Sequence, residues 1–200
     1  MTTAAFVLIA YLIGSLSFAV LVSRAFGLPD PHSYGSGNPG ATNVLRTGKT
    51  AAALLTLVGD GGKGWLAVFL AQRFASEWGV GQAGVAGAAI AVFIGHLFPV
   101  FFRFKGGKGV ATTAGIFIAI DLWLGLATLA CWIAVAGVFR YSSLAALVAC
   151  VFAPIFYYLF YGVDVMAAAV LAMSLLLAWR HADNLRRLLA GQEGRIGVKK

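Results

Sequence analysis

The chain has 200 residues, of which 60% are hydrophobic and 11% charged, with a mean hydropathy of +0.88. That balance excludes a soluble globular domain, and several runs of roughly 20 residues nearly free of charge read as a polytopic helical membrane protein. The net charge of +8 sits in short loops and the tail, where positive-inside topology accounts for it without nucleic acid as a partner.

Residues 4–23 form the first apolar run, with Arg24 immediately after it. No Lys or Arg precedes the run and no small-residue cleavage site follows, so it reads as a retained span with the N-terminus outside. Residues 27–49 make a polar, Gly/Pro-rich loop. Spans are predicted over 50–72 and 79–102, followed by a glycine–lysine loop at 103–108. The region 109–139 is too long for one helix and is interrupted only by Asp121. Spans over 141–161 and 163–180 precede a basic tail from Arg180 to Lys200.

These elements predict an all-α transmembrane bundle of seven spans, N-terminus outside and C-terminus cytoplasmic, forming one domain over residues 1–200. The arrangement puts thirteen of the 15 Lys and Arg on the inner side. Its fourth span is short: residues 109–120, at ~1.5 Å each, cover about 18 Å of a core roughly 30 Å thick. That segment must be short, re-entrant or buried against its neighbours. The alternative is a five-span bundle with 109–139 as one long tilted element. No repeat or low-complexity tract occurs. Cys131 and Cys150 lie in apolar runs without metal-type spacing, so no disulfide framework, zinc site or other cofactor is indicated.

Chemistry concentrates in a few polar stretches. In Phe104-Lys105-Gly106-Gly107-Lys108-Gly109-Val110-Ala111-Thr112, glycines allow backbone N–H groups to converge on an anion while two ammonium groups supply charge. A helix start follows, which also attracts anions. Read alone, the stretch is equally an ordinary basic loop. In Ser36-Gly37-Asn38-Pro39-Gly40-Ala41-Thr42-Asn43, the hydroxyl and amide side chains either cap turns or form a polar nest, with Arg46 forking onto a phosphate. A Walker-type nucleotide loop is excluded, because Asn43 stands where the first glycine before Gly48-Lys49-Thr50 belongs, and Lys63 and Lys108 are each followed by Gly. Asp60 and Lys63 sit at i, i+3 inside the second span, as a structural ion pair or a polar lining. His96, Ser143 beside Arg140-Tyr141, and His181 with Asn184 one turn on each have a plain helix-end reading. The tail arginines also suit anionic lipid heads. In the seven-span arrangement all of these stretches except the Asp60–Lys63 pair fall on the cytoplasmic side, as a small phosphorylated substrate would require.

The residues resemble the bacterial acyl-phosphate-dependent glycerol-3-phosphate acyltransferases, integral inner-membrane enzymes. Ser36 to Asn43 with Arg46, Asp60 and Lys63 match the family's first motif, and Gly95-His96 with Phe104 to Thr112 match its second. His181, Asn184, Arg187-Leu188, Gly191 and Glu193 match its third. Ser143 matches the family's serine, whereas Ala145 and Ala146 replace small polar residues expected there. The resemblance implies transfer of a fatty acyl group from acyl phosphate to the 1-hydroxyl of glycerol 3-phosphate, giving lysophosphatidate and phosphate. It implies Ser36, Arg46, Lys108, His181 and Asn184 as catalytic residues, with Asn38, Thr42, Asn43, Lys105, Gly106, Gly107, Gly109 and Ser143 binding substrate. Asp60, Lys63, His96 and Glu193 would be supports, with no metal. Membrane lipid and an enzyme supplying acyl phosphate are the partners implied.

The His-x4-Asp dyad of another acyltransferase family is absent, since Gly37, Phe101 and Arg186 stand fifth after the three histidines. No Gly-x-Ser-x-Gly elbow occurs. A transporter or channel for a phosphorylated anion would use the same basic nest, although its ionisable groups belong at the midplane rather than at one face. A lipid-binding scaffold explains the tail but not the glycine–lysine loop.

Overall fold

In the computed structural model the described residues are 2–197. Among them the chain is helical, without strands. The first expected span is two helices, α1 (Thr2–Gly14) and α2 (Phe18–Ala25), broken at Ser15–Ser17. The loop that follows carries the short α3 (Ala41–Leu45). Then come α4 (Thr50–Ala75) and α5 (Gln82–Leu97), a 3-10 turn at Val100–Phe102, α6 (Val110–Ile120), α7 (Leu122–Phe139), α8 (Ser142–Tyr161), α9 (Val165–Arg180) and α10 (Ala182–Leu189).

Several boundaries have a local cause. The Asp121 carboxylate accepts from the Leu124 amide at 2.9 Å, capping α7 in extended backbone and splitting 109–139 into two helices. A single tilted element over that region therefore does not form. Asp164 caps α9 in the same way, through the Ala167 amide at 2.7 Å.

Among the described residues, five stretches suffice by length and hydropathy to cross a membrane: Thr3–Ala25, Thr50–Ala75, Gln82–Phe102, Leu122–Phe139 and Ser142–Tyr161. A sixth is reached if α9 and α10, bent by 55° at His181, count as one broken span. The difference from the expected seven lies in α6, which at 11 residues is too short to cross by itself. Leucine, valine and aromatic side chains such as Leu54, Val58, Trp123, Leu159 and Phe160 face outward, as a lipid-facing surface requires.

α5 is the central helix, its side chains largely buried between α1, α4, α6 and α9. α6 packs along α4 with the backbones nearly touching. A Cβ at Gly115 would collide with the Gly61 carbonyl, and one at Gly64 would collide with the Thr112 carbonyl. Small residues are what permit such an approach in lipid, where packing and hydrogen bonding replace the hydrophobic drive between helices. Beneath this crossing the expected pair forms: Lys63 Nζ lies 3.0 Å from Asp60 Oδ1, both side chains buried. Lys63 also donates to the Leu16 carbonyl at 2.5 Å, an acceptor freed by the break between α1 and α2.

Gly115→Leu is expected to separate α4 from α6 and destabilise the fold by about 1–3 kcal/mol, the usual cost of overpacking. A thermal midpoint in detergent equal to that of the wild type would contradict the close crossing.

Candidate active site

The glycine–lysine loop is built from backbone that few sequences tolerate. After the 3-10 turn, Arg103 and Phe104 both take left-handed conformations, with φ of 55° and 60°. The chain then doubles back so that the Gly107 amide donates to the His96 carbonyl at 3.2 Å. A Cβ on Gly107 would strike both the His96 ring and the Pro39 carbonyl, so only glycine passes here. From the other side, the Arg180 guanidinium donates to the carbonyls of Gly106 and Gly107. α6 starts immediately after Gly109.

The first polar loop is folded by Asn43, which is buried. Its Nδ2 donates to the Pro31 and Tyr34 carbonyls at 2.9 and 3.2 Å, and its Oδ1 accepts from the Ser36 amide at 3.0 Å. His32 joins the two loops, with Nδ1 2.7 Å from Asp30 Oδ1 and Nε2 3.0 Å from the Lys105 carbonyl.

The tail supplies the third wall. Ile196 pairs with Arg140 in both directions, its amide donating to the Arg140 carbonyl at 2.7 Å and its carbonyl accepting from Arg140 Nη2 at 3.0 Å. This strap carries Glu193 into a hub. Glu193 Oε1 accepts from Asn184 Nδ2 at 2.6 Å and Ser143 Oγ at 2.7 Å, while Oε2 accepts from Arg187 Nε at 2.7 Å. Asn184 in turn accepts from Lys108 Nζ through Oδ1.

These walls enclose a polar cleft of about 220 Å³ lined by Ser36, Gly37, Asn38, Gly106, Lys108, Arg180, Asp183 and Arg187. Of the residues singled out in the sequence, Ser36, Asn38, Gly106 and Lys108 line it. Asn184 touches Lys108, and Ser143 and Glu193 stand behind Asn184. Gly107 and Gly109 shape the loop, and Asn43 folds its neighbour rather than facing the cleft. Thr42, Arg46 and Lys105 are exposed and lie off the cleft lining. His181 is buried at the α9–α10 bend with Nδ1 2.8 Å from the Leu177 carbonyl. That carbonyl only accepts, so Nδ1 carries the proton and Nε2 the lone pair in the neutral ring. Asp60, Lys63 and His96 form the layer beneath: His96 Nδ1 is 3.1 Å from Thr112 Oγ1 and 3.6 Å from Asp60 Oδ1.

Arg180, Asp183 and Arg187 enter the cleft although the basic tail reads as lipid-facing. For Arg187 the available signals are its place in the third motif and its spacing from Asn184, one turn apart on α10; Arg180 reaches the cleft from the end of α9, across the bend, and no spacing marks it.

Electrostatics follow from this crowding. Burial pushes the Lys108 ammonium down to about 8, and Arg187 adds to that while Glu193 opposes it. For Glu193, burial acts to raise the carboxyl, but the hydrogen bonds from Asn184, Ser143 and Arg187 outweigh it and hold the group below its ordinary value.

The fold and cleft define a class, an integral membrane protein with a cationic pocket suited to phosphate at one face. The chain matches the glycerol-3-phosphate acyltransferase family over residues 4–191 and belongs to that family. Glycerol-3-phosphate acyltransferases of Cupriavidus pinatubonensis and Janthinobacterium sp. are 65% and 62% identical to it. The first comparison covers 98% of this chain and 96% of the relative, the second 100% of both. The crystal structure of PlsY (YgiH), an integral membrane glycerol 3-phosphate acyltransferase, superposes in its glycerol 3-phosphate form with a TM-score of 0.91. It is 32% identical, over 98% of this chain and 96% of that one. The lysophosphatidic acid form superposes at 0.89.

Because Glu193 sits below its unfolded value, its contribution to stability is present above that value of about 4.5 and is lost as pH falls through the folded one. The wild type is therefore expected to exceed Glu193→Gln in thermal midpoint near neutrality and to converge on it in acid. Midpoints that run parallel through that window would refute the hub.

Proposed function

We propose that this chain is an acyl-phosphate:glycerol-3-phosphate acyltransferase of the bacterial cytoplasmic membrane, transferring a fatty acyl group to the 1-hydroxyl of sn-glycerol 3-phosphate. The products are lysophosphatidate and phosphate. The observation that carries this is the grouping of Lys108, Arg180 and Arg187 around one cleft, beside the hydroxyl of Ser36 and the amide of Asn38. Two anionic phosphates repel each other in any shared site, and three cations offset that repulsion. The membrane fold supports a donor with a long apolar chain. A shallow apolar groove of about 360 Å³ between α1 and α5, lined by Ala4, Val7, Leu8, Tyr11, Ala91 and Ile94, is the place for it. The Tyr11 hydroxyl donates to the Phe98 carbonyl at 2.8 Å, at the end of the groove nearer the cleft.

In this reading Ser36 and the adjacent backbone hold the acyl phosphate, and the glycine–lysine loop seats the glycerol phosphate. Arg46 and Lys105, exposed at the rim, steer anions inward. Asn43 keeps the first loop in register, and Ser143 and Glu193 hold Asn184 on Lys108. No covalent acyl-enzyme is needed, since acyl phosphate already carries a good leaving group. The departing phosphate takes the hydroxyl proton, with His181 as the alternative base.

Topology supports a cytoplasmic cleft. The loop after α2, the loop after α5, the Arg140 turn and the tail all meet at the cleft, so α4–α5, α6–α7 and α8–α9 each leave and return. The Asp121 junction bonds Tyr161 at the opposite end of α8, its Oδ1 accepting from the Tyr161 hydroxyl at 2.6 Å. In this reading the chain makes seven passes, with α6 the short fourth, N-terminus outside and the basic loops within. An enzyme supplying acyl phosphate would act on the same side.

Purified protein given palmitoyl phosphate and glycerol 3-phosphate is expected to release phosphate only when both are present, and Lys108→Ala to lose at least about a hundredfold in rate. Release from acyl-CoA or acyl-carrier thioesters instead would change the donor, and silence with all three would bring the transporter reading forward. Ala91→Phe is expected to raise KM for palmitoyl phosphate several-fold more than for a short-chain acyl phosphate. An equal change for both would remove the chain from the groove.

A further inference from the structure

Gly106 and Gly107 offer no side chains by which their loop can be held. Their backbone groups are the handles, and two partners grip them. The Gly107 amide donates to the His96 carbonyl, on the α5 side. On the α9 side, Arg180 donates from Nη2 to the Gly106 and Gly107 carbonyls, each at 3.1 Å, and from Nε to Gly107 at 3.3 Å. The guanidinium plane is itself fixed, with Cζ 5.8 Å from the Phe98 ring centre and 6.0 Å from that of Trp179. Arg180 is the last residue of α9, so the grip comes from the end of a helix packed on α5 and α8 rather than from a loop.

The direction of those carbonyls matters. Each carries partial negative charge, and turned into the cleft they would oppose a phosphate there. Held on Arg180 they are neutralised. The residue that follows them is Lys108, whose ammonium enters the cleft and meets Asn184. A small rotation of the Gly106–Gly107 peptide would swing Lys108 off Asn184. A lysine in place of Arg180 could not reproduce the fork, because an ammonium is a point charge without a plane.

We propose that Arg180 is a positioning residue for acyl transfer, pinning the Gly106 and Gly107 carbonyls to α9 so that they face away from the phosphates and Lys108 enters the cleft at a fixed point. This rests on the acyltransferase reading above.

The test compares Arg180→Lys and Arg180→Ala with the wild type in steady-state turnover across pH. The charged and titratable groups facing Lys108 are Arg180, Arg187, Asp183, Glu193 and His181, and its ammonium loses its proton near 8. The wild-type kcat/KM is therefore expected to fall above about pH 8. Arg180→Lys keeps the charge and is expected to keep that limb while losing about tenfold in kcat/KM. Arg180→Ala is expected to lose about a hundredfold, to shift the limb to higher pH, and to recover in part with millimolar guanidinium but not with sodium chloride of equal ionic strength. Arg180→Lys within twofold of wild type would overturn the proposal, since charge alone would then suffice. Loss of activity in Arg180→Ala that guanidinium does not relieve would overturn it as well. If Arg180→Ala does not accumulate in the membrane, Arg180→Lys decides alone. A wild type without turnover would instead sink the acyltransferase reading. Loop placement would then be read from the rise in thermal midpoint that glycerol 3-phosphate gives the wild type and is expected not to give Arg180→Lys; an equal rise in both would overturn it.

Discussion

Lys108, Arg180 and Arg187 share a cleft of about 220 Å³, and the cost of gathering like charges at a membrane face is the constraint on the whole molecule. Glu193 is the carboxylate that meets it most directly, through Arg187 and, by way of Asn184, through Lys108. Arg180 is answered differently, by backbone carbonyls and two aromatic rings. The Lys108 ammonium is depressed by burial first and by the neighbouring Arg187 second, with Glu193 opposing both. A cation so placed is ready for an anionic ligand, because ligand binding relieves what folding left unbalanced.

The layer below works by closeness rather than charge. α4 and α6 meet at Gly61, Gly64 and Gly115, and this brings Thr112 to His96 and leaves Asp60 and Lys63 no route to solvent. Lys63 finds a further acceptor at Leu16 only because the first span is broken there. A break, an ion pair and a close helix crossing thus depend on one another. Removing either charged partner alone would leave the other buried and unpaired, at about 3–5 kcal/mol in comparable cases. The His96 carbonyl transmits this rigidity to Gly107 and so to the cleft.

Much of this is legible in the chain itself. Asp121 marks the division between α6 and α7 because a carboxylate between two apolar runs has a ready task as a helix cap. The pairing of Asp60 with Lys63 follows from i, i+3 spacing where an unpaired charge is costly. Other residues mislead for equally physical reasons. Asn43 has the same chemistry as a phosphate-binding amide, and only the folded loop shows that the Pro31 and Tyr34 carbonyls take its hydrogens. Arg180 and Arg187 stand among arginines whose positions topology alone would explain, so their place in the cleft depends on the 55° bend at His181. The resemblance implies Glu193 as a support but not its partners: Ser143 comes from α8, Asn184 and Arg187 from α10, and contact between a tail and two separate helices leaves no periodic trace.

The short α6 ties the cleft to how the chain enters the bilayer. The cleft draws one wall from each of several connections that meet there, and α6, apolar but only 11 residues long, is too short to cross a bilayer by itself. If α6 is the fourth of seven passes and fails to turn the chain, Arg140 and Ser143 emerge on the far side, and neither the strap to Ile196 nor the bond to Glu193 can close. A misinserted molecule would lack a formed cleft rather than carry a weakened one.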